Sequence, residues 1–438
     1  MAKDKIGIAL SAVNKFAGSP LVNKLKLRKP AEKIAYVSTR TGFQVISSAS
    51  VKVQQAKNFF TPADTRDKQE AALFDLSLSE EQQLIKDSLN RFSSEVIRPA
   101  AHQADNDELT SEAIFQQANE LGLAAYSATA EYGGYSDTPS TLTNVLIAES
   151  LANGDMGIAC ALLSTVSVAN ALTRWGTEEQ KTSWLTPIIK SLDQPQALYA
   201  AIAVNEPTPL FNPNKLITNV SPTDGGYKLN GKKTAVAIGD KADFLLVTAT
   251  TPNGRQKLFI VNSALKGISI KPSHNMGLKA AELCSIDFDN VQLPEDALLG
   301  DDSFCYQTFI DLANLAWCGL AVGCAQAIQD YVVNYCNERT AFGEPISHRQ
   351  SVAFMVANIG IELESMRLLT YRAACKAEQG LPFHREAYLA KVLCSDKAME
   401  IGTNGVQLLG GHGFIKDHPV ERWYRDMRAI AILYGLHV

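Results

Sequence analysis

The sequence predicts an α+β protein whose helices and strands are segregated along the chain. Apolar residues recur at three- and four-residue spacing up to about residue 197 and again from about 301. Between 198 and 300 the period shifts towards two, in short β-rich runs bounded by turn formers. A doubly wound parallel sheet would instead alternate strand and helix throughout. At 438 residues the chain exceeds what one hydrophobic core usually supports, so several packed subdomains are expected. Its 46% hydrophobic and 20% charged residues fit a soluble globular protein. No uninterrupted apolar run approaches the roughly 18 residues that span a bilayer.

Taken in order, residues 1–75 form a basic extension and linker. Within the first 60, eleven Lys or Arg stand against Asp4 and Glu32, although the whole chain carries a net charge of −5. Such a split suggests a separate role at anionic surfaces. Three readings are open: a solvated helical extension on the body, an amphipathic helix docking peripherally on anionic lipid, and a cleaved targeting segment. The last is disfavoured by a short first apolar stretch without a clear cleavage pattern. Localisation is expected to be cytoplasmic, with peripheral membrane contact through residues 1–60 as the alternative. The polar stretch TPADTRDKQE (61–70) reads as the linker.

Residues 76–197 read as a helical domain. Ser79 stands three residues before Gln82 at the start of an apolar-periodic run, a capping box that opens a helix. TLTNVLIAESLA continues the helical period. Residues 198–300 read as a small β domain, with YKLNG, FLLVTA, KLFIV and ISIKP as strands. Asp224-Gly225-Gly226, Asn230-Gly231 and Pro252-Asn253-Gly254 are the expected turns. Residues 301–438 return to helix: Val352, Met355, Val356, Ile359, Leu363 and Met366 share one face, and Gly380-Leu381-Pro382 marks a turn. The eight cysteines show no Cys-x-x-Cys pair and no metal-like grouping with histidine. Buried, reduced thiols in a reducing compartment are expected.

Several segments carry a resemblance. ELGLAAYSATAEYGG (120–134), AVNEP (203–207), NGKKTAVAIGDKAD (230–243) and MGLKAAELCSIDFDNVQLPEDALLG (276–300) follow one known pattern in order. RTAFGEPISHRQ (339–350), QLLGGHGF (407–414) and the closing PVERWYRDMRAIAILYGLHV complete it. From about residue 76 onwards the chain resembles the acyl-CoA dehydrogenase family. That resemblance implies an N-terminal helical domain, a middle β domain and a C-terminal four-helix bundle. It also implies a homo-oligomer, dimer or tetramer, that binds FAD with the flavin against the β domain and the ADP half at a subunit boundary. Cofactor contacts fall by resemblance on Arg339, Phe342, Gln350, Gln407, Gly410, Gly411 and Ala237, with His412 near the diphosphate. A guanidinium pairs well with phosphate oxygens, and glycines let backbone N–H groups approach the same anion.

The flavin half departs from the family. Thr208, Pro209, Leu210, Phe211 and Asn212 stand where the family has small polar residues, and Ala235 and Ala237 replace a Trp and a Thr. The departure with most chemical weight lies at the end. The family's glutamate, which removes the α-proton of an acyl thioester, falls on Tyr434, with Gly435 following as the motif expects. The second station known in the family falls on Ala313, beside Asn314 where an arginine would stand. Tyr434, His437, Asp311 and Glu206 are the candidates for the proton-transferring group. A carboxylate suits that task because burial raises its pKa towards neutral; tyrosine, near 10, suits it less.

The resemblance implies α,β-dehydrogenation of an acyl-CoA, with an electron-transfer flavoprotein as electron acceptor. Two alternatives remain: a non-catalytic scaffold that binds FAD or acyl-CoA, and a flavin oxidase with another substrate. Nothing in composition or motif points to nucleic acid.

Overall fold

The computed structural model describes residues 78–436, apart from 136, 137, 193 and 195. The basic extension and His437 lie outside the described residues.

The first helix, α1 (Glu80–Phe92), opens on the expected capping box. Ser79 Oγ accepts from Gln82 N–H at 3.1 Å, and the Gln82 side chain accepts from Ser79 N–H at 3.1 Å. After a π-turn come α2 (Arg98–Asp107) and α3 (Glu112–Glu120). Next, α4 (Thr141–Gly154) and α5 (Met156–Trp175) are buried almost all round, and α6 (Thr186–Ser191) closes this layer. By length and composition α5 and α7 (Tyr306–Glu338) could cross a membrane; both are buried inside the protein, which accounts for their apolar character. Gly323 lets α7 approach α4 closely. A Cβ there would lie 2.0 Å from the Glu149 carbonyl oxygen, a backbone atom that cannot step aside. Gly323→Ala is therefore expected to destabilise the protein by about 1–3 kcal/mol, read as a lower urea midpoint at unchanged slope.

Between the helical layers lies a seven-stranded sheet of β1 (Ala200–Ala203), β2 (Asn219–Thr223), β3 (Gly226–Val236), β4 (Phe244–Thr250), β5 (Gln256–Asn262), β6 (Ile268–Pro272) and β7 (Cys284–Pro294). The order is β1-β4-β2-β3-β7-β6, with β5 pairing β4. β1 runs parallel to β4, and the chain stays buried through its close at Val204 and Asn205. Asp224-Gly225 turns β2 into β3, and residues 251–255 turn β4 into β5. Asn230-Gly231 does not turn the chain. It lies inside β3 at a register shift against β7, a bulge in which Gly231 takes φ +146° with Thr218 packed where a Cβ would stand.

The C-terminal layer has α7, the small hairpin β8 (Thr340–Ala341) and β9 (Glu344–Pro345), then α8 (Gln350–Glu378), α9 (His384–Leu409) and the short α10 (Val420–Met427). On α8, Ile359, Leu363 and Met366 are buried, and Val352, Met355 and Val356 pack partly against the core. The opposite face leaves Phe354, Ile361 and Leu368 exposed at 58%, 62% and 48%, at seven-residue spacing. α10 is fixed from below. Arg422 Nε donates to Asp155 Oδ2 at 2.9 Å, and Asp426 accepts from Leu278 N–H at 2.6 Å. These bonds aim the tail that follows at the sheet. Seven of the eight cysteines are buried, but Cys305, at the exposed start of α7, departs from the expected burial.

Candidate active site

The tail after α10 ends against the close of β1. Asn205, buried at that close, holds the Tyr434 backbone on both sides: its Nδ2 donates to Tyr434 O at 2.6 Å, and its Oδ1 accepts from Tyr434 N–H at 3.1 Å. Gly435 then passes Ile202 O at φ +123°, a conformation open to glycine and closed to most other residues. From the other side, Lys391 Nζ on α9 donates to Leu433 O at 3.2 Å. The same ammonium sits 5.1 Å from the centre of the Tyr434 ring and 5.9 Å from that of Trp317. The tail is thus bolted between the sheet and the C-terminal helices.

The side chain of Tyr434 is partly buried, edge-on to Phe211 at 6.0 Å between ring centres. Its hydroxyl makes no hydrogen bond among the described residues, and burial pushes its pKa up. Lys391 is enclosed, and burial pulls its ammonium down to about 8, with Cys318 and Cys394 opposing slightly. One turn apart on α7, the Asn314 side-chain oxygen and the Trp317 indole N–H are buried without a partner among the described residues. Such atoms are unmet hydrogen-bond demand beside the tail.

Ala235 and Ala237 form a partly exposed wall at the end of β3. Ala235 and Ile238 take φ +52° and +47°, left-handed backbone without glycine. For a β-branched residue that is strained, and such strain gathers at functional surfaces. The segment is held by Ser164 Oγ donating to Ala237 O at 3.2 Å and by Ile238 N–H donating to Ala281 O at 3.1 Å.

Two carboxylates considered as proton acceptors are engaged elsewhere. Glu206 accepts from Ile217 and Thr218 N–H at 2.7 and 2.9 Å and from Lys233 Nζ at 2.9 Å. Burial alone would raise its pKa, but the Lys233 charge and those N–H bonds bring it below the usual range. It braces the 207–218 loop. Asp311 accepts from His384 Nδ1 at 2.9 Å and from Gln307 at 3.0 Å; burial raises it, and the imidazole opposes. It ties the foot of α7 to α9. Ala313 is buried, so that station offers no acid group.

The other group of sequence-selected residues gathers at the far end of α7. Tyr335 draws two segments together, its hydroxyl meeting Leu409 O at 3.3 Å and His412 Nδ1 at 2.8 Å. This brings the Arg339 end of α7 beside the Gln407–His412 turn. Arg339, Gln350, Gln407, Gly410 and Gly411 are all exposed, and no atom lies within 4 Å of where a Cβ on either glycine would be. Phe342 tops the β8–β9 turn at φ +56°, 94% exposed, with the Arg349 guanidinium 5.0 Å from its ring. A guanidinium, two amides and open glycine backbone are a donor set suited to a diphosphate. The partly exposed alanines, and the Phe211–Tyr434 ring pair, offer apolar surface of the kind that suits a flat ring. At 1.5 Å per residue, Arg339 lies about 33 Å along α7 from Trp317 and the tail, so the two sets do not meet within one chain.

Sequence reasoning missed Asn205 and Lys391. Lys391 was detectable, because it falls on the buried stripe Ala387, Ala390, Cys394 and Ala398 of α9, where a lysine is out of place.

Three family descriptions match the chain: "Acyl-CoA dehydrogenase, N-terminal domain" over residues 79–191, the "middle domain" over 201–291 and the "C-terminal domain" over 306–437. The solved butyryl-CoA dehydrogenase of Megasphaera elsdenii is similar at 29% identity and a TM-score of 0.75, covering 82% of this chain and 95% of that one. A structure described as the FAD complex of PigA is similar at 25% identity and a TM-score of 0.75, with coverage of 82% and 95%. A curated relative, the 3-(aryl)acrylate reductase of Clostridium sporogenes, is 29% identical, covering 82% of this chain and 95% of its own length.

Proposed function

The chain belongs to the acyl-CoA dehydrogenase family, and from that premise we propose that it is an FAD-dependent oxidoreductase acting at the α,β carbon–carbon bond of an acyl-CoA thioester. The observation that carries this reading is the double anchoring of Tyr434. Asn205 bonds the Tyr434 backbone on both sides and Lys391 bonds the preceding Leu433 O, which supports Tyr434 as the proton-transferring residue. A tail without a task in the site would not need both.

In this reading FAD binds between two copies of the chain. Arg339, Gln350, Gln407, Gly410 and Gly411 of one copy hold the diphosphate, and Phe342 covers the adenosine. Ala235, Ala237, Phe211 and Tyr434 of the other copy enclose the ring. The exposed stripe Phe354, Ile361 and Leu368 on α8 supports a homo-oligomer. Bound there, FAD supplies hydride exchange with the β-carbon of the substrate. Tyr434 exchanges the α-proton, and Trp317 and Asn314 offer their unpaired polar atoms to the substrate. Relatives of the family include both dehydrogenases and a reductase, so either direction fits the scaffold. An electron-transferring flavoprotein is the proposed redox partner. The compartment is proposed to be a reducing one, with the burial of seven of the eight cysteines in support.

A second reading has its own observation. Neither family station carries a carboxylate, and the nearest acids are engaged. A cofactor-binding scaffold without turnover would look the same. Titrating FAD-loaded protein with acyl-CoAs of graded length separates the two: bleaching of the flavin supports the enzyme, and a yellow protein that bleaches with none supports the scaffold. Arg339→Ala is expected to weaken FAD binding by about 1.5–3 kcal/mol, the scale of a charged hydrogen bond, measured by equilibrium dialysis. Unchanged retention would remove Arg339 from the site.

A further inference from the structure

The group placed to exchange the α-proton is a phenol, and its surroundings keep the proton on it. The Tyr434 hydroxyl has no carboxylate or imidazole acceptor among the described residues, and Phe211 shields one edge of the ring. Burial lifts it above an ordinary value already near 10. A group protonated at rest is a poor acceptor for an α-proton and a ready donor of one. No carboxylate stands in for it, since Glu206 and Asp311 are both committed to other partners.

The neighbour on the ring face matches the charge that such a donor would develop. Lys391 Nζ is 5.1 Å from the ring centre, in an interior where it has no carboxylate partner among the described residues. When the phenol releases its proton, negative charge appears on oxygen and ring, and a fixed cation in a dry site stabilises that charge without reorganising. The titratable groups facing Lys391 are Tyr434 and the thiols Cys318 and Cys394. With an ammonium that titrates near 8, the cation is present at neutral pH. Asn205 holds the Tyr434 backbone, so the phenol is carried on a segment fixed to the close of β1.

We propose that this site works in the reducing direction, with the Tyr434 phenol donating a proton to Cα of an α,β-unsaturated acyl substrate. The inference rests on the family reading above. The carbon–carbon π bond breaks, Cα gains the Tyr434 proton, and Cβ gains a hydride from reduced flavin, which is oxidised. The phenolate recovers its proton from water. A reduced electron carrier of the flavoprotein class restores the reduced state. Lys391 and Asn205 are positioning residues for Tyr434.

The test compares both directions on FAD-loaded protein. Butyryl-CoA with an artificial electron acceptor probes oxidation, and the matching 2-enoyl-CoA added to photoreduced protein probes reduction, each across the neutral pH range. The enoyl reaction is expected to be the faster and flat with pH, because the phenol stays protonated. Butyryl-CoA oxidation should climb about tenfold per pH unit without a plateau, following the rare phenolate. Tyr434→Phe should slow the enoyl reaction about 100-fold or more, the usual yield of a positioned acid. In cofactor-free protein, the phenolate absorbance lost in Tyr434→Phe should appear only in alkali; Lys391→Met should slow the enoyl reaction at neutral pH and leave that alkaline titration in place, because an ammonium pulled down to about 8 has lost its charge there.

Three results would overturn the proposal: butyryl-CoA oxidation that plateaus at neutral pH, an enoyl reaction indifferent to Tyr434→Phe, or a residue-434 phenolate already present at neutral pH. Failure of the protein to retain any FAD would strike the proposed FAD-dependent function instead. The titration of the cofactor-free protein would then still decide the state of the phenol.

Discussion

Replacing Tyr434 with glutamate is expected to raise the oxidation of a saturated acyl-CoA at neutral pH by about two to three orders of magnitude. The reason is the fraction of the group that can accept a proton. A phenol whose pKa lies at or above about 10 is ionised in roughly one molecule in a thousand, or fewer, at pH 7. A glutamate in the same enclosed position is largely ionised there, and a well-placed general base contributes about 10²–10⁴ in rate. The Asn205 bonds to the Tyr434 backbone do not depend on the side chain, so the substitution keeps its placement. The nearby Lys391 ammonium would hold the new carboxylate ionised and moderate the gain. Tyr434→Gln, similar in size and without a base, is the control and should remain slow. Stopped-flow bleaching of the flavin reads both variants. Equal rates for the glutamate and glutamine variants would show that residue 434 does not meet the α-proton.

The largest loss of stability is expected from Lys233→Met. Lys233 is wholly enclosed in the β domain, and its three donor bonds reach Val204 O at 3.1 Å, Thr248 Oγ1 at 2.9 Å and Glu206 Oε1 at 2.9 Å. Burial pulls its pKa down to about 8, with the Glu206 charge acting against that pull. Removing the cation strands the Glu206 carboxylate in the interior, and breaking such a pair from one side costs about 3–5 kcal/mol. The double variant Lys233→Met with Glu206→Gln should recover part of the loss, because the remaining amide is neutral and its oxygen keeps one of the two bonds to the 217–218 backbone N–H groups. Urea unfolding of the single and double variants measures this. Equal destabilisation by both would mean that packing, not stranded charge, sets the cost.

Much of the scaffold could be read from local chemistry. Ser79 with Gln82 marks a helix start because each side chain satisfies the other's free N–H, an interaction that needs no tertiary partner. Asp224-Gly225 turns because Gly225 adopts φ +90° without penalty. Asn230-Gly231 carries the same local signal, yet β3 continues through it as a bulge, because pairing with β7 on one side and Thr218 on the other outweighs the turn tendency. That outcome depends on strands distant in sequence.

The site was legible only in part, for the same reason. By resemblance the sequence puts Tyr434 where the family has its carboxylate, but it does not reveal that Asn205, 229 residues earlier, holds the Tyr434 backbone. It offered Glu206 and Asp311 as acids without revealing the lysine and the histidine that occupy them. Arg339, Gln350 and Gln407 could be selected by type. That the Arg339 end of α7 lies beside the turn after α9 is a product of how those helices pack around Tyr335.

Under the proposed reading, the exposed Phe342 ring, perched on its hairpin beside the Arg349 guanidinium, would make each chain half of a functional unit. If the phosphate donors of one copy serve the ring wall of its neighbour, loading becomes a bimolecular event and the cofactor acts as a rivet between subunits. Dilution would then release colour and partner together. The melting temperature would climb with protein concentration and with added FAD jointly, the mark of mass action on a shared ligand.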